Sequence, residues 1–112
     1  MSICRIAPDL DIYESYSISQ GFDTGFIISD MTLWMARLAP GGGAEGIQQK
    51  IQHSDVDDNE QYVDHRDAPA NYLGANSIFI RLGRCETRRW IRIVTTRTGD
   101  DPLFMATAIL EW

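Results

Sequence analysis

The stretch His53 to Glu60, HSDVDDNE, gathers several of the side chains in this chain that could do chemistry. Asp55, Asp57 and Asn59 occupy the first, third and fifth places of an EF-hand register, which supply oxygen ligands to calcium. The sixth place is Glu60 where the loop requires glycine, and the twelfth is Arg66 where it requires a bidentate glutamate. A solvated turn accounts for the run, with an irregular calcium site as the alternative. His53, Ser54 and Asp55 are the three residue types of a hydrolytic triad, but neighbours on a strand point to opposite faces and cannot align nucleophile, base and orienter. His65 lies near Asp64 and Asp67 without any recognised metal-ligand spacing. Asp9 and Asp11 form a carboxylate pair in a segment without periodicity. No phosphate-binding glycine loop is present. No catalytic residue, metal site or cofactor is therefore expected, and the chain is expected to work by contact and not as an enzyme.

Composition bounds the remaining possibilities. A chain of 112 residues fits one domain, and 44 % apolar residues are enough to build a core. No apolar run approaches the roughly 20 residues of a membrane helix, and the start of the chain lacks the apolar core of a secretory signal, so no membrane partner is expected. Cys4 and Cys85 stand far apart and read as free thiols. The net charge of −6 is unevenly spread: residues 1–67 carry 4 basic and 12 acidic side chains, residues 68–112 carry 6 and 4. An acidic chain is a poor nucleic-acid binder, because such binding draws its strength from phosphate neutralisation. Acidic and basic faces on neighbouring copies could instead meet.

These residues must be positioned by strands. Residues 1–11 read as an N-terminal arm and 12–112 as one β domain. Residues 12–18 alternate, Gly21 to Gly25 reads as a turn, and Phe26 to Ile28 is a short apolar run. MTLWMARLA, 31–39, fits either a strand or a short helix; its alternation favours a strand, and it stops at Pro40 and the triglycine 41–43. Residues 47–53 place Ile47, Gln49, Ile51 and His53 on one face. Residues 65–76 read as irregular, with one helical turn around 68–72. Ser77 to Leu82, residues 88–97 and Leu103 to Leu110 complete the set, with a turn at Gly99 to Pro102. Strands spaced about 8–12 residues apart point to an all-β, single antiparallel β-sandwich or small barrel of jelly-roll or Ig-like type. Within 88–97, Trp90 and Arg92 share one face and Ile91 the other, which predicts a core tryptophan flanked by surface arginines. The terminal Trp112 must pack back or meet a neighbour.

Gln52, His53, Ser54 and Asp55, then Arg89, Trp90, Ile91, Arg92, Ile93 and Val94, then Gly99, Ala106 and Ala108 form a glutamine-rich strand with a His-Ser-Asp turn, an arginine-aromatic strand and an alanine-rich closing strand. This pattern resembles the small structural proteins that tailed bacteriophages encode near their capsid genes. It departs from them at Asp57 to Glu60, where a glycine-bearing turn is usual, and in the arm. The resemblance covers residues 20–110 loosely and 47–110 better. It implies a capsid decoration (cement) protein, made in the host bacterial cytoplasm and carried on the virion surface. Its partner would be the major capsid protein, and its copies would associate as trimers. Contacts are expected from the arm, from apolar rim residues and from Arg84, Arg88, Arg89 and Trp112. A head- or tail-fibre module recognising carbohydrate through Tyr13, Tyr16, Tyr62 and Tyr72 is the alternative.

Overall fold

The computed structural model describes residues 2–11, 16–39, 46–67, 74–98 and 105–112. Nine strands run through them: β1 Ile3–Asp11, β2 Tyr16–Ile18, β3 Phe22–Asp23, β4 Met31–Ala39, β5 Gly46–Ser54, β6 Val63–Asp67, β7 Gly74–Leu82, β8 Trp90–Thr98 and β9 Met105–Glu111. One 3-10 turn, Arg84–Glu86, joins β7 to β8. The first sheet has the order β1-β9-β4-β7, and the second the order β2-β8-β5-β6 with β3 also on β8.

β2 and β3 lie on the same strand, β2 against Val94 to Thr96 and β3 against Trp90 and Ile91. They are one strand interrupted at Ser19 to Gly21. The interruption keeps its pairing by another route: the Ser19 hydroxyl accepts the Ile93 N–H at 2.8 Å, and the Ser19 N–H donates to the Ile93 carbonyl at 2.9 Å. Counted so, the first strand pairs with the last, the second with the seventh, the third with the sixth and the fourth with the fifth. All these pairings are antiparallel. That nesting is a long hairpin rolled into two sheets, a jelly roll, and it selects this arrangement over the Ig-like one.

The core follows from alternation. Met31, Leu33 and Met35 of β4 turn inward with at most 1 % exposure, and Thr32, Trp34 and Ala36 turn outward. Leu82, Ala108 and Leu110 join them from the same sheet, and Ile51, Ile91 and Ile93 face them from the other. Ile6 of β1 and Ile27 of the β3–β4 loop close the cluster.

Several expectations are corrected. In the segment read as an arm, Ile3 to Asp11 pair with β9, with two register shifts. The irregular edge follows from Pro8, which cannot donate to a ladder. The Gly21–Gly25 turn contains β3. The irregular 65–76 stretch includes part of β6 and the start of β7. Trp90 is half-buried and not in the core, whereas Arg92 is buried. β8 is a central strand with both faces covered, so Ile91 to Thr95 are buried without alternation. The expectations for the triglycine, the 68–72 helical turn, Gly99 to Pro102 and Tyr13 and Tyr72 fall outside the described residues.

Leu33 is fully buried at the centre of β4. Leu33→Ala should lower unfolding free energy by about 3 kcal/mol, as truncation of a packed leucine leaves a cavity. A urea titration followed by tryptophan fluorescence measures it.

Candidate functional site

Two loops meet at one end of the sandwich, residues 24–30 between β3 and β4 and residues 83–89 between β7 and β8. Arg84 joins them. Its Nη1 donates to the Thr24 carbonyl at 2.8 Å and the Ile27 carbonyl at 3.1 Å, and its Nη2 to the Thr87 carbonyl at 2.8 Å. Its backbone N–H donates to Asp30 Oδ1 at 2.9 Å. Thr24, fully buried, donates its hydroxyl to the Arg89 carbonyl at 2.6 Å. A guanidinium spent on carbonyls that have no strand partner satisfies groups that burial would otherwise leave costly.

Arg89 forms the second tie. Its Nε and Nη2 reach the two Asp23 oxygens at 3.0 and 2.8 Å, and Gly25 N–H donates to the same carboxylate at 2.8 Å. The Arg89 hydrogen bond, then that of Gly25, holds the Asp23 carboxyl down at about 2. A Cβ on Gly25 would sit 2.9 Å from Asp23 Oδ1 and 3.0 Å from Arg89 Nε, so a larger residue there would have to displace this ion pair.

The tied loop places its apolar residues alternately. Ile27 is buried in the core, whereas Phe26 and Ile28 point out with 62 % and 95 % exposure. Phe26 packs edge-on against Trp112 at 5.4 Å between centroids, and Phe22 lies 6.2 Å from Trp112. Trp112 is held by its backbone, which exchanges hydrogen bonds with Ser2 at 2.8 and 3.0 Å. The terminal tryptophan therefore packs back, half-buried, at the foot of the loop.

The structure brings Arg84, Arg88, Arg89 and Trp112 to this one end. Arg84 faces inward to carbonyls, Arg89 is exposed but paired, and Arg88 is exposed. Sequence reasoning missed Ile28 as the most exposed apolar side chain among the described residues and Asp23 as the partner of Arg89. The apolar run 26–28 was the signal for the first; nothing local marked the second, 66 residues away.

Beside this end, His53 and His65 stack face to face, 4.1 Å apart with an interplanar angle of 1°. His53 Nδ1 accepts the Arg88 N–H at 3.1 Å, and His65 Nε2 lies 3.0 Å from the Thr87 hydroxyl. Burial, and after it neighbouring positive charge, pushes both imidazoles below their ordinary value. Ser54, next to His53, accepts the Val56 N–H at 3.2 Å, so its hydroxyl serves a turn.

The acidic loop folds over the outer face of the second sheet. Arg92 lies under it, 4.1 Å from the Tyr62 ring centroid, and donates to Gln52 Oε1 at 2.8 Å and Asn59 Oδ1 at 3.1 Å. Asp57 accepts the Tyr62 hydroxyl at 2.8 Å, and Asp58 accepts the Glu60 N–H at 3.1 Å. Burial first and the Asp57 carboxylate second push the Tyr62 hydroxyl far up, so it stays protonated. A Cβ on Gly21 would run into the Tyr62 hydroxyl and the Asp57 carboxylate, which sets how closely the two loops approach. Between them lies a polar cleft of about 630 Å³ lined by Ser19, Gln20, Gly21, Asp57, Asp58, Asn59, Tyr62 and Arg92. Asp64 is turned to Lys50 and Gln52. Among the described residues no three metal-ligating side chains converge.

Fold and site together define a jelly-roll module with a loop end tied by Arg84 and Arg89. Neither a family model nor a curated protein matches the chain. Among solved structures it is similar to a chain in the structure of infectious bursal disease virus Gx strain, with a TM-score of 0.60 and 14 % identity over 97 % of this chain. The match covers 30 % of that viral chain, so this chain spans under a third of its length. At that identity the likeness is one of fold.

Two outcomes follow. Arg84→Met should cost about 2–4 kcal/mol, because several carbonyls lose a charged donor together, and should speed hydrogen exchange at the Ile27 amide, which donates to Thr24. Because both histidines are depressed in the folded state, the stability they confer is complete above the unfolded value of 6.5 and is lost as pH falls below it. The urea midpoint should therefore drop between pH 7 and pH 5, roughly the range of histidine titration, and a His53→Gln/His65→Gln variant should flatten that slope.

Proposed function

We propose that this chain is a structural module of a virus particle that acts by surface contact. The observation that carries the reading is Ile28, 95 % exposed on a loop pinned by Arg84 and Arg89. A large apolar side chain held outward on a tied loop costs nothing to reorganise on binding, and anchors of that kind dominate interface energies. Support comes from the jelly-roll pairing and from the fold likeness to a chain of a virus structure.

The narrower reading is a capsid decoration protein of a tailed bacteriophage that clamps adjacent major capsid subunits, with its copies grouped as trimers on the shell. It rests on the sequence resemblance. Many modest contacts on one rigid shell would add through effective concentration. The test mixes purified protein with expanded capsids lacking it and reads binding and heat resistance. Micromolar or tighter binding with a raised capsid melting temperature is expected, and Ile28→Asp should weaken binding by about tenfold or more while leaving the protein's own melting temperature unchanged. No binding at micromolar concentration, with capsid stability unaltered, overturns the reading.

The second reading, a fibre module for carbohydrate, is favoured by the polar cleft over Arg92. Tyr62 does not serve it as an exposed platform, since it is buried with its ring under Arg92. Specific signal on a glycan array that Asp58→Asn abolishes would favour this reading over the first.

A further inference from the structure

The outer face of the first sheet carries a pattern that fits itself. Backbone register lines up Arg5, Ile109, Trp34 and Phe79 across β1, β9, β4 and β7. The adjacent row is Ile3, Glu111, Thr32 and Arg81. Leu33, Leu110 and Leu82 are fully buried on the inner face, so these row members point outward. Trp34 and Phe79 stay 43 % and 59 % exposed, with ring centroids 5.2 Å apart, and Ile3 is 66 % exposed. The Trp34 indole N–H donates to Glu111 Oε2 at 3.1 Å, which fixes both side chains. Arg81 is exposed and has no hydrogen bond or ion pair among the described residues.

The two charges flank β4 symmetrically, Glu111 one strand to one side and Arg81 one strand to the other, at the same level along the sheet. A two-fold axis lying in the plane of contact and parallel to β4 exchanges the two sides. It sets Glu111 of one copy opposite Arg81 of the other, twice. The same operation sets Phe79 opposite Ile109 and Trp34 opposite Trp34. Acid meets base and apolar meets apolar from one surface, as an isologous contact requires. We infer that this face is a self-association surface and that its occupant is a second copy of this chain.

Size sets the expected strength. The axis along β4 overlaps the three strands β9, β4 and β7 and leaves β1 of each copy beyond the partner's β7 edge, so the contact is about 14 Å across, a small footprint that fits a weak dimer and not an obligate one. Aligned packing of two sheets face to face is a common β arrangement. The inference does not depend on the virion reading, because it concerns a different surface and is measured on the protein alone.

Sedimentation velocity of the full chain, from low micromolar to several hundred micromolar, should show a monomer–dimer equilibrium. R81E and E111R should each weaken the dimer by about tenfold or more, since each puts two like-charge pairs in the contact. Mixing R81E with E111R sets two acid–base pairs across the contact and should form a heterodimer tighter than either variant alone. The double variant R81E/E111R should regain the parent affinity. Melting temperatures of the single variants separate a folding defect from a lost contact. A chain that stays monomeric across the range, a dimer indifferent to both reversals, or single defects that neither mixing nor the double variant restores would each overturn the inference.

Discussion

Antiparallel pairing between segments at matching distances from the two ends of the chain is the constraint on which the molecule depends. Ile3 pairs with Glu111, and Ser2 exchanges backbone hydrogen bonds with Trp112. Each later strand then finds its partner one step further in from both ends. Once the roll closes, β9 and β8 each lie between two strands, which leaves their backbone groups few places to meet water. The two sheets face each other across a layer of methionine, leucine, isoleucine and alanine. Every surface feature is a consequence, because the roll decides which loops share an end and which side chains share a face.

The loop end shows how this works. Asp23 and Arg89 are brought together because β3 lies on β8, and a Cβ at Gly25 would press on their ion pair. Arg84 reaches across to carbonyls of the other loop, with its own backbone held by Asp30. The value of these ties lies in order more than in net charge attraction. Exposed pairs such as Arg89 with Asp23 add little stability on their own, but here they remove freedom from a loop that carries Phe26 and Ile28 outward. The same economy applies to Arg92. Its burial is made tolerable by Gln52, Asn59 and the Tyr62 ring, which give the guanidinium polar partners and a π-face in place of water.

The acidic run illustrates how far local chemistry can mislead and how far it can be trusted. Its register looked like half a calcium loop. In the fold Asp57 accepts a hydroxyl and Asp58 a turn amide, which is ordinary work for aspartate in loops. The two missing EF-hand requirements were visible beforehand, so the turn reading was already the stronger one. His53 was legible as part of an alternating face, and its neighbours on that face, Gln49 and Ile51, are buried with it. Its stacking on His65 was not legible, because it depends on β6 lying beside β5 with a register shift between Ile51 and Gln52.

What the sequence determined by itself was strand character. β-branched and aromatic residues at period two mark β5, β7 and β8, because a pleated chain must sort its side chains to two faces, whereas β4 could be read as strand or helix. Failed spacings also ruled against triad and EF-hand chemistry before any fold was known. What only the tertiary structure decided was which face of each strand turns inward, whether both do, and what becomes of a segment with no pattern. β1 carries no clear alternation and so read as an arm, yet the last strand offers it a ladder. Arg92 read as a surface residue and is buried, because a loop more than thirty positions away in sequence covers it. Backbone hydrogen bonds and burial are properties of pairs of segments, and no single segment carries the identity of its partner.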